Sequence, residues 1–590
     1  MYSEKSKFPW GAVVVAGAVL VFACIVLSTF LGRGIFQPGG LFGGDGDGTP
    51  AAPPGAILVD IASSNTKEDW MNAVVEQFNA EGHTTGAGET IFVRVSHVTS
   101  GGSQTSILNG NSQPQVWSPG DQSWVDGANE VWQDRTGRPL VPDACPSTTL
   151  APSGFAMWKP MAEALGWPDS PISWDDFVAL SADPEGWGSL GHPEWGTFKF
   201  GHAHPAYSNV GLQMMTALAY STLGTTGGLS AEEVYSDEVR EAFSRLEQST
   251  YHYGIQSRNL IERMVQRGPN YLHAVTTSEA ETLKTNEERE SGLRFPLVFI
   301  FPAEGTFWSE HPYCILDADW VSDDQKEASE AFLDYMLARE QQELAIDNYL
   351  RPVSQTIPLH APLSLENGTD PRVTMEAVPP LESPSAESAE AVKDIFFQTK
   401  KKATIILALD TSGSMEGEKI KTAADSAVNF VSRLDRDDEI YVIGFGGYED
   451  SGVVLLENGG RAGDVGETLT RTISGLFADG NTPLYDAVCE SVEFIDELKA
   501  ADEAEGERRL YGIVLLSDGE DTSSFRTENQ MFGCLPSGET VDGVKIFTIA
   551  FGEDANQDVL ERVANRTNGN FFTASPTNIE TIYNAISAEQ

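Results

Sequence analysis

The run Ala403-Thr404-Ile405-Ile406-Leu407-Ala408-Leu409 carries no charge and leads straight into the polar turn Asp410-Thr411-Ser412-Gly413-Ser414. Seven residues of Ile, Leu, Ala and Thr predict a strand buried on both faces, the pattern of a parallel sheet covered by helices. The turn opens a helix at about Lys419. In open parallel sheets, ligands sit beyond the carboxyl ends of the strands, where loops meet helix N-termini. One carboxylate and two hydroxyls at alternate residues of such a turn offer hard oxygens, which suit Mg²⁺, Mn²⁺ or Ca²⁺ and not zinc.

Two later stretches supply what that turn lacks. Gly480-Asn481-Thr482-Pro483-Leu484 opens another helix and brings a third hydroxyl, and Ile513-Val514-Leu515-Leu516-Ser517-Asp518-Gly519 is a second buried strand that ends in a carboxylate. Taken alone, Asp-x-Ser-x-Ser is also an ordinary cap and turn pattern. With Thr482 and Asp518 between alternating strands and helices, the chain from about Ala403 to Gln590 resembles the von Willebrand factor type A domain family and its metal-ion-dependent adhesion site. The resemblance implies a Rossmann-like α/β domain in which Asp410, Ser412, Ser414, Thr482 and Asp518 take the five metal positions, some through water. The ion it implies is Mg²⁺, or Mn²⁺ or Ca²⁺, with a coordination place left for a carboxylate of a protein partner.

Length and charge bound the remainder. A chain of 590 residues implies roughly three or four folding units. With 87 Asp and Glu against 38 Lys and Arg, the formal net charge of −49 repels nucleic acid and anionic lipid. Four of the five cysteines, Cys145, Cys314, Cys489 and Cys534, show neither Cys-x-x-Cys spacing nor His partners, which argues against a zinc site. In an exported chain they pair within domains as Cys145 with Cys314 and Cys489 with Cys534. The alternative is buried free thiols.

Gly11 to Leu31 is uncharged and long enough for a transmembrane helix. Lys5 and Lys7 before it put the N-terminus in the cytoplasm and the bulk of the chain outside, a single-pass membrane protein of residues 1–35 with a flexible linker over 36–56. Lipidation at Cys24 and a cleaved signal peptide are the rival readings, and all three imply export.

From Ile57, strands again alternate with helices: strand 57–62, a helix over 68–78, strand 91–97 and the Ser/Gly-rich loop 99–103. Serines recur at helix starts, where unpaired backbone N–H groups favour anions and polar ligands. The order of these elements, two crossings near 151–159 and 295–306, and the loop placement resemble the extracellular solute-binding proteins of ABC importers, in their two-lobed form. This covers about Ile57 to Val353 and implies a periplasmic-binding-protein-like domain over 57–360 whose cleft closes on a small polar or anionic solute. Ser63, Ser64, Ser100, Ser103, Trp117, Ser208 and Asn209 are placed at the cleft edge. Five tryptophans between Trp158 and Trp195 offer either sugar stacking or core. Residues 361–402 read as a connector in which Ala391 to Phe397 has helical spacing and docks against one domain, ahead of a von Willebrand factor type A-like domain over 403–590.

No His lies between Ala403 and Gln590, so a metal-assisted hydrolase there lacks its usual base. The sequence therefore predicts a non-enzymatic, membrane-anchored binding protein that combines solute recognition with metal-dependent protein binding. The alternatives are an importer's solute receptor whose second module only docks, and a metal-dependent hydrolase.

Overall fold

The computed structural model describes residues 52–590 apart from positions 448–451, 508, 537–542, 553–554, 576–577, 580–581, 584–585 and 587–590. Strands β1 (Ile57–Ser63), β2 (Ile91–His97), β3 (Val116–Ser118), β4 (Ser153–Trp158), β5 (Phe200–Ala203), β6 (Thr250–Gly254), β7 (Ala274–Ser278), β8 (Leu297–Ile300) and β9 (Cys314–Ile315) build two sheets, ordered β2-β1-β3-β9 and β6-β5-β7-β4-β8. In the first, β1 runs parallel to β2 and β3, with β9 antiparallel on the edge. In the second, β5 is parallel to β6 and β7, while β4 is antiparallel to β7 and β8. The chain passes from the first sheet to the second between β3 and β4 and returns between β8 and β9, which makes two lobes.

Each lobe has its own reason to fold. Helix Glu68–Glu81 lays Trp70, Val74 and Phe78 on the first sheet at helical spacing, all fully buried, and ends at Gly82 in the left-handed region (φ 71°). In the second lobe Trp158, Trp174 and Trp187 are buried in the core. Trp174 and Phe177 pack on Phe155, and the indole N–H of Trp187 donates to His273 Nδ1 at 2.9 Å. These three rings are core, not a sugar platform.

Beyond residue 402 lies a third sheet, made of β10 (Ala403–Asp410), β11 (Glu439–Phe445), β12 (Val453–Arg461), β13 (Leu510–Ser517), β14 (Lys545–Phe551) and β15 (Phe571–Ala574), in the order β12-β11-β10-β13-β14-β15. Every residue of β10 and of β13 is buried, as their uncharged runs predict. All neighbours are parallel except β12, which pairs antiparallel with β11. Only residues 446–452 join β11 to β12, too few for the crossover that a parallel pair needs.

Residues 361–402 dock through the helix that the spacing of Ala391 to Phe397 predicts. Helix Ala386–Thr399 buries Val392, Ile395 and Phe396, and one continuous apolar cluster runs from Phe155 and Phe200 of the second lobe, through that helix, to Ile405, Leu407 and Leu409 of β10. Polar contacts seal the junction: Lys545 Nζ donates to the Tyr251 carbonyl and lies 4.7 Å from the centre of the Tyr251 ring, and Arg267 donates to the Gly569 carbonyl. Disulfides join Cys145 to Cys314 and Cys489 to Cys534.

The membrane expectation is corrected. Gly11 to Leu31 lies outside the described residues, and among those described no helix is long and apolar enough to cross a membrane. The longest of them, Leu484–Glu505 at 22 residues, carries Glu490, Glu493, Asp496, Glu497, Asp502 and Glu503, a charge density no bilayer core accepts. The single-pass placement therefore has no structural support.

Candidate functional sites at two sheet edges

Because β10 and β13 are adjacent and in register (Leu409 opposite Leu516), Asp410 and the Ser517-Asp518 pair emerge side by side at the carboxyl edge of the third sheet. Asp410 Oδ1 accepts from the Ser412 amide at 2.9 Å, and its Oδ2 accepts from Ser517 Oγ at 2.7 Å. Ser412 Oγ and Ser414 Oγ are 2.9 Å apart, and Ser414 Oγ donates to Asp518 Oδ1 at 2.6 Å. The ammonium of Lys419, the second residue of helix Glu418–Arg433, donates to Asp518 Oδ2 at 2.6 Å.

The Thr482 loop is drawn onto this cluster by backbone bonds. Gly413 N–H donates to the Gly480 carbonyl and Asp479 N–H to the Thr411 carbonyl, while the Thr482 amide donates to Thr522 Oγ1 at 2.8 Å. Gly480 holds φ 76°, and a β-carbon there would lie 2.2 Å from Gly447, so only glycine permits this approach. A β-carbon on Gly519 would lie 3.6 Å from Ser414 Oγ and 3.8 Å from Thr482 Oγ1, which shows both hydroxyls facing the same small space.

Asp410 and Asp518 are almost wholly buried, at 0% and 1% exposure. Burial pushes the Asp410 carboxyl above its usual range; hydrogen bonds from Ser412 and Ser517 oppose this, and the Asp518 charge adds to it. Among the described residues no group of three or more His, Cys, Asp or Glu forms a metal-holding cluster. An ion here has two carboxylates and three hydroxyls, a donor set of hard oxygens with excess acceptor capacity. Those residues fit Mg²⁺, Mn²⁺ or Ca²⁺ in kind. Sequence reasoning missed Lys419, which satisfies Asp518 internally, and Ser517, which braces Asp410; Ser517 sits within a quoted stretch and Lys419 at the predicted helix start, neither with a spacing that marks it.

The residues placed at the solute cleft divide into two groups. Ser100 Oγ accepts from the Gly120 amide at 3.0 Å, and Asn209 Oδ1 accepts from Trp124 Nε1 at 2.7 Å, so Ser100, Gly120, Trp124 and Asn209 meet across the two lobes. Ser63 and Ser64 end β1 beside Ser118, whose carbonyl accepts from the Ser64 amide at 2.9 Å. The others are engaged internally. Ser208 caps helix Asn209–Leu223 through the Gly211 amide, and Trp117 is fully buried with its Nε1 on Ser103 Oγ at 2.9 Å. Trp124, Asp121 and Gln213 also escaped the sequence reading, since their bonds span the lobes: Gln213 Nε2 donates to Asp121 Oδ2 at 3.2 Å.

Residues 59–351 match the family model for bacterial extracellular solute-binding proteins, and residues 404–585 match that for the von Willebrand factor type A domain. An uncharacterized protein of Synechocystis sp. is 31% identical over 168 residues, 28% of this chain and 36% of its own length. The inter-alpha-trypsin inhibitor heavy chain 4 of Mus musculus is 27% identical over 27% of this chain and 17% of its own length. The chain thus spans about a third or less of these curated relatives. Among solved structures, the sulfate-binding protein SubI of Mycobacterium tuberculosis aligns with 51% of this chain and 88% of its own at 15% identity and a TM-score of 0.35.

Proposed function

We propose that this chain, which carries a bacterial extracellular solute-binding-protein region followed by a von Willebrand factor type A domain, is a non-catalytic binding protein with two ligands: a small solute between the lobes, and a protein held through a divalent cation on the third sheet. We assign the solute-binding region to 57–360, the connector to 361–402 and the second module to 403–590. The observation that carries the reading is the convergence of Asp410, Ser412, Ser414, Thr482 and Asp518 at one sheet edge, with both carboxylates buried.

Those five residues would hold the ion, and the ion would supply a Lewis-acidic place for a carboxylate of the partner. The chain's own part is orientation: Ser517 and the Ser412 amide fix Asp410, and Lys419 keeps Asp518 neutralised until a stronger cation displaces it. Calorimetric titration of the full chain with Mg²⁺ and Mn²⁺ tests the reading. Saturable binding in the wild type, lost in Asp410→Ala with circular dichroism unchanged, is expected; equal affinity in both would reduce the five positions to turn and cap residues.

A second reading, in which the third sheet is only a docking scaffold for an importer's solute receptor, draws on the apolar continuity between the second lobe and β10. It differs in one outcome: solute binding would persist and no partner would depend on the metal.

A further inference from the structure

Beyond the ends of β1 and β3, where Ser309 meets Gln213 of the second lobe, lies a pair of buried basic side chains with no ion-pair partner among the described residues. Lys67, at the start of helix Glu68–Glu81, is 1% exposed, and His311, on the segment returning to the first lobe, is also 1% exposed. Lys67 Nζ donates to the Ser118 carbonyl at 2.9 Å and lies 3.3 Å from His311 Nδ1. No carboxylate among the described residues pairs with this ammonium, in contrast to the buried cation Arg351, which is held by Glu279, and to His202, which is held by Glu247. A buried charge without a partner costs several kcal/mol, so natural interiors rarely keep one without use.

Three further features single out the same place. His311 Nε2 is buried without a hydrogen-bond partner. Ser309 and His311 both hold positive φ, 28° and 46°, although neither is glycine, which is backbone strain of the kind found at ligand clamps. Around them are the small hydroxyls of Ser64, Ser118 and Ser309; Ser309 Oγ donates to Gln213 Oε1 at 3.0 Å, and Gln213 in turn occupies the nearby Asp121 carboxylate at 3.2 Å. Burial holds the Lys67 amine well below its usual range, as expected where no anion offsets desolvation.

We propose that Lys67 and His311 form an anion seat beyond the ends of β1 and β3, taking one anionic oxygen group of the solute, either a phosphate- or sulfate-type oxyanion or a carboxylate. The inference rests on the solute-binding reading and narrows its ligand to anions. The seat is enclosed while Trp124 holds Asn209 and Lys284 holds Asp69 across the lobes, so the solute enters when those bonds open and is covered when they re-form. The binding step itself is desolvation balanced by charge: an anion supplies the negative charge that Lys67 lacks beside the Ser118 carbonyl and the acceptor that His311 Nε2 lacks.

Thermal melting and calorimetry of the full chain with millimolar sodium phosphate, sodium sulfate or sodium citrate, and with glucose as an uncharged probe, test the seat in wild type, Lys67→Met and His311→Leu. At least one anion should raise the wild-type melting temperature, with phosphate or sulfate against citrate telling an oxyanion from a carboxylate. Affinity for it should fall at least about 30-fold in each variant, the scale of one charge-assisted hydrogen bond. In probe-free buffer Lys67→Met should melt no lower than wild type, because it removes an uncompensated charge at nearly constant volume. Equal anion binding in wild type and variants would overturn the seat, as would a destabilised Lys67→Met with no anion response in the wild type. Binding of glucose alone would overturn the seat and leave the solute reading standing; silence from every probe would overturn both.

Discussion

The carboxyl ends of two parallel strand pairs in this protein, β1 with β3 and β10 with β13, have opposite chemistry. At β10 and β13 two buried carboxylates and three hydroxyls gather around one ammonium, Lys419. At β1 and β3 a buried ammonium and an imidazole gather with no carboxylate among the described residues paired to either. Both edges use the same architecture, loops beyond strand ends, so architecture alone does not choose the ligand. The sign of the uncompensated charge does. Acceptor excess selects a cation, and donor excess selects an anion.

The disulfides separate the two edges most forcefully, since each staples one of them. Cys314 begins β9 only three residues after His311, and Cys489 lies in the helix that follows the Thr482 loop. By loop length, the Cys145–Cys314 bond, spanning 169 residues, is worth about 5 kcal/mol and the Cys489–Cys534 bond, spanning 45, about 4 kcal/mol. Cys145→Ala/Cys314→Ala should lower denaturant stability and loosen anion binding while Mg²⁺ affinity holds, and Cys489→Ala/Cys534→Ala should do the reverse. Parallel loss of both ligands in either variant would show that the edges are one cooperative unit.

The next largest effect concerns charge at the metal edge. Asp518→Asn removes a negative oxygen and the partner of Lys419, and Mg²⁺ affinity by calorimetry should fall more than about 100-fold. Lys419→Met acts in the opposite direction. It takes away the internal competitor for Asp518, so Mg²⁺ should bind about 10-fold tighter while the metal-free protein melts lower. Unchanged affinity in Lys419→Met would mean that the ammonium and the ion do not share Asp518.

What could be read from residues, and what could not, follows the same division. Ala403–Leu409 and the Asp410, Ser412, Ser414 pattern are legible because a buried strand has no alternation and its ligand turn follows at once. Thr482 and Asp518 are legible because each opens or closes such an element. The antiparallel β12 escaped the expectation of an all-parallel sheet, since its direction depends on the length of the loop before it and not on its own residues. Lys67 and His311 are 244 positions apart, and a lysine after Ser64-Asn65-Thr66 looks like an exposed helix start. Nothing local reports that it is buried. The docking helix of the connector is legible from the helical spacing of Ala391 to Phe397, but not that Val392, Ile395 and Phe396 join the cores on both sides of it, which is long-range packing.

The smallest expected effect is a pH dependence at the cleft. Burial, aided by the Lys67 charge, lowers His97 from 6.5 to about 4. A folded pKa below the unfolded one means that stability is fully present above pH 6.5 and is lost as pH falls toward 4, because the unfolded ring takes a proton that the folded ring refuses. Water reaches part of this ring, so the loss is about 1–2 kcal/mol. His97→Gln should flatten the acid limb of the melting-temperature curve over that window; superimposable curves would assign the acid sensitivity to other groups.

The contrast between the edges is tested most directly by diffraction from crystals of the full chain grown with Mn²⁺. The account predicts one anomalous peak bounded by Asp410, Ser412, Ser414, Thr482 and Asp518, with Lys419 withdrawn from Asp518, and no peak near Lys67 and His311. Density showing Lys419 still on Asp518 with no manganese at that edge would contradict it.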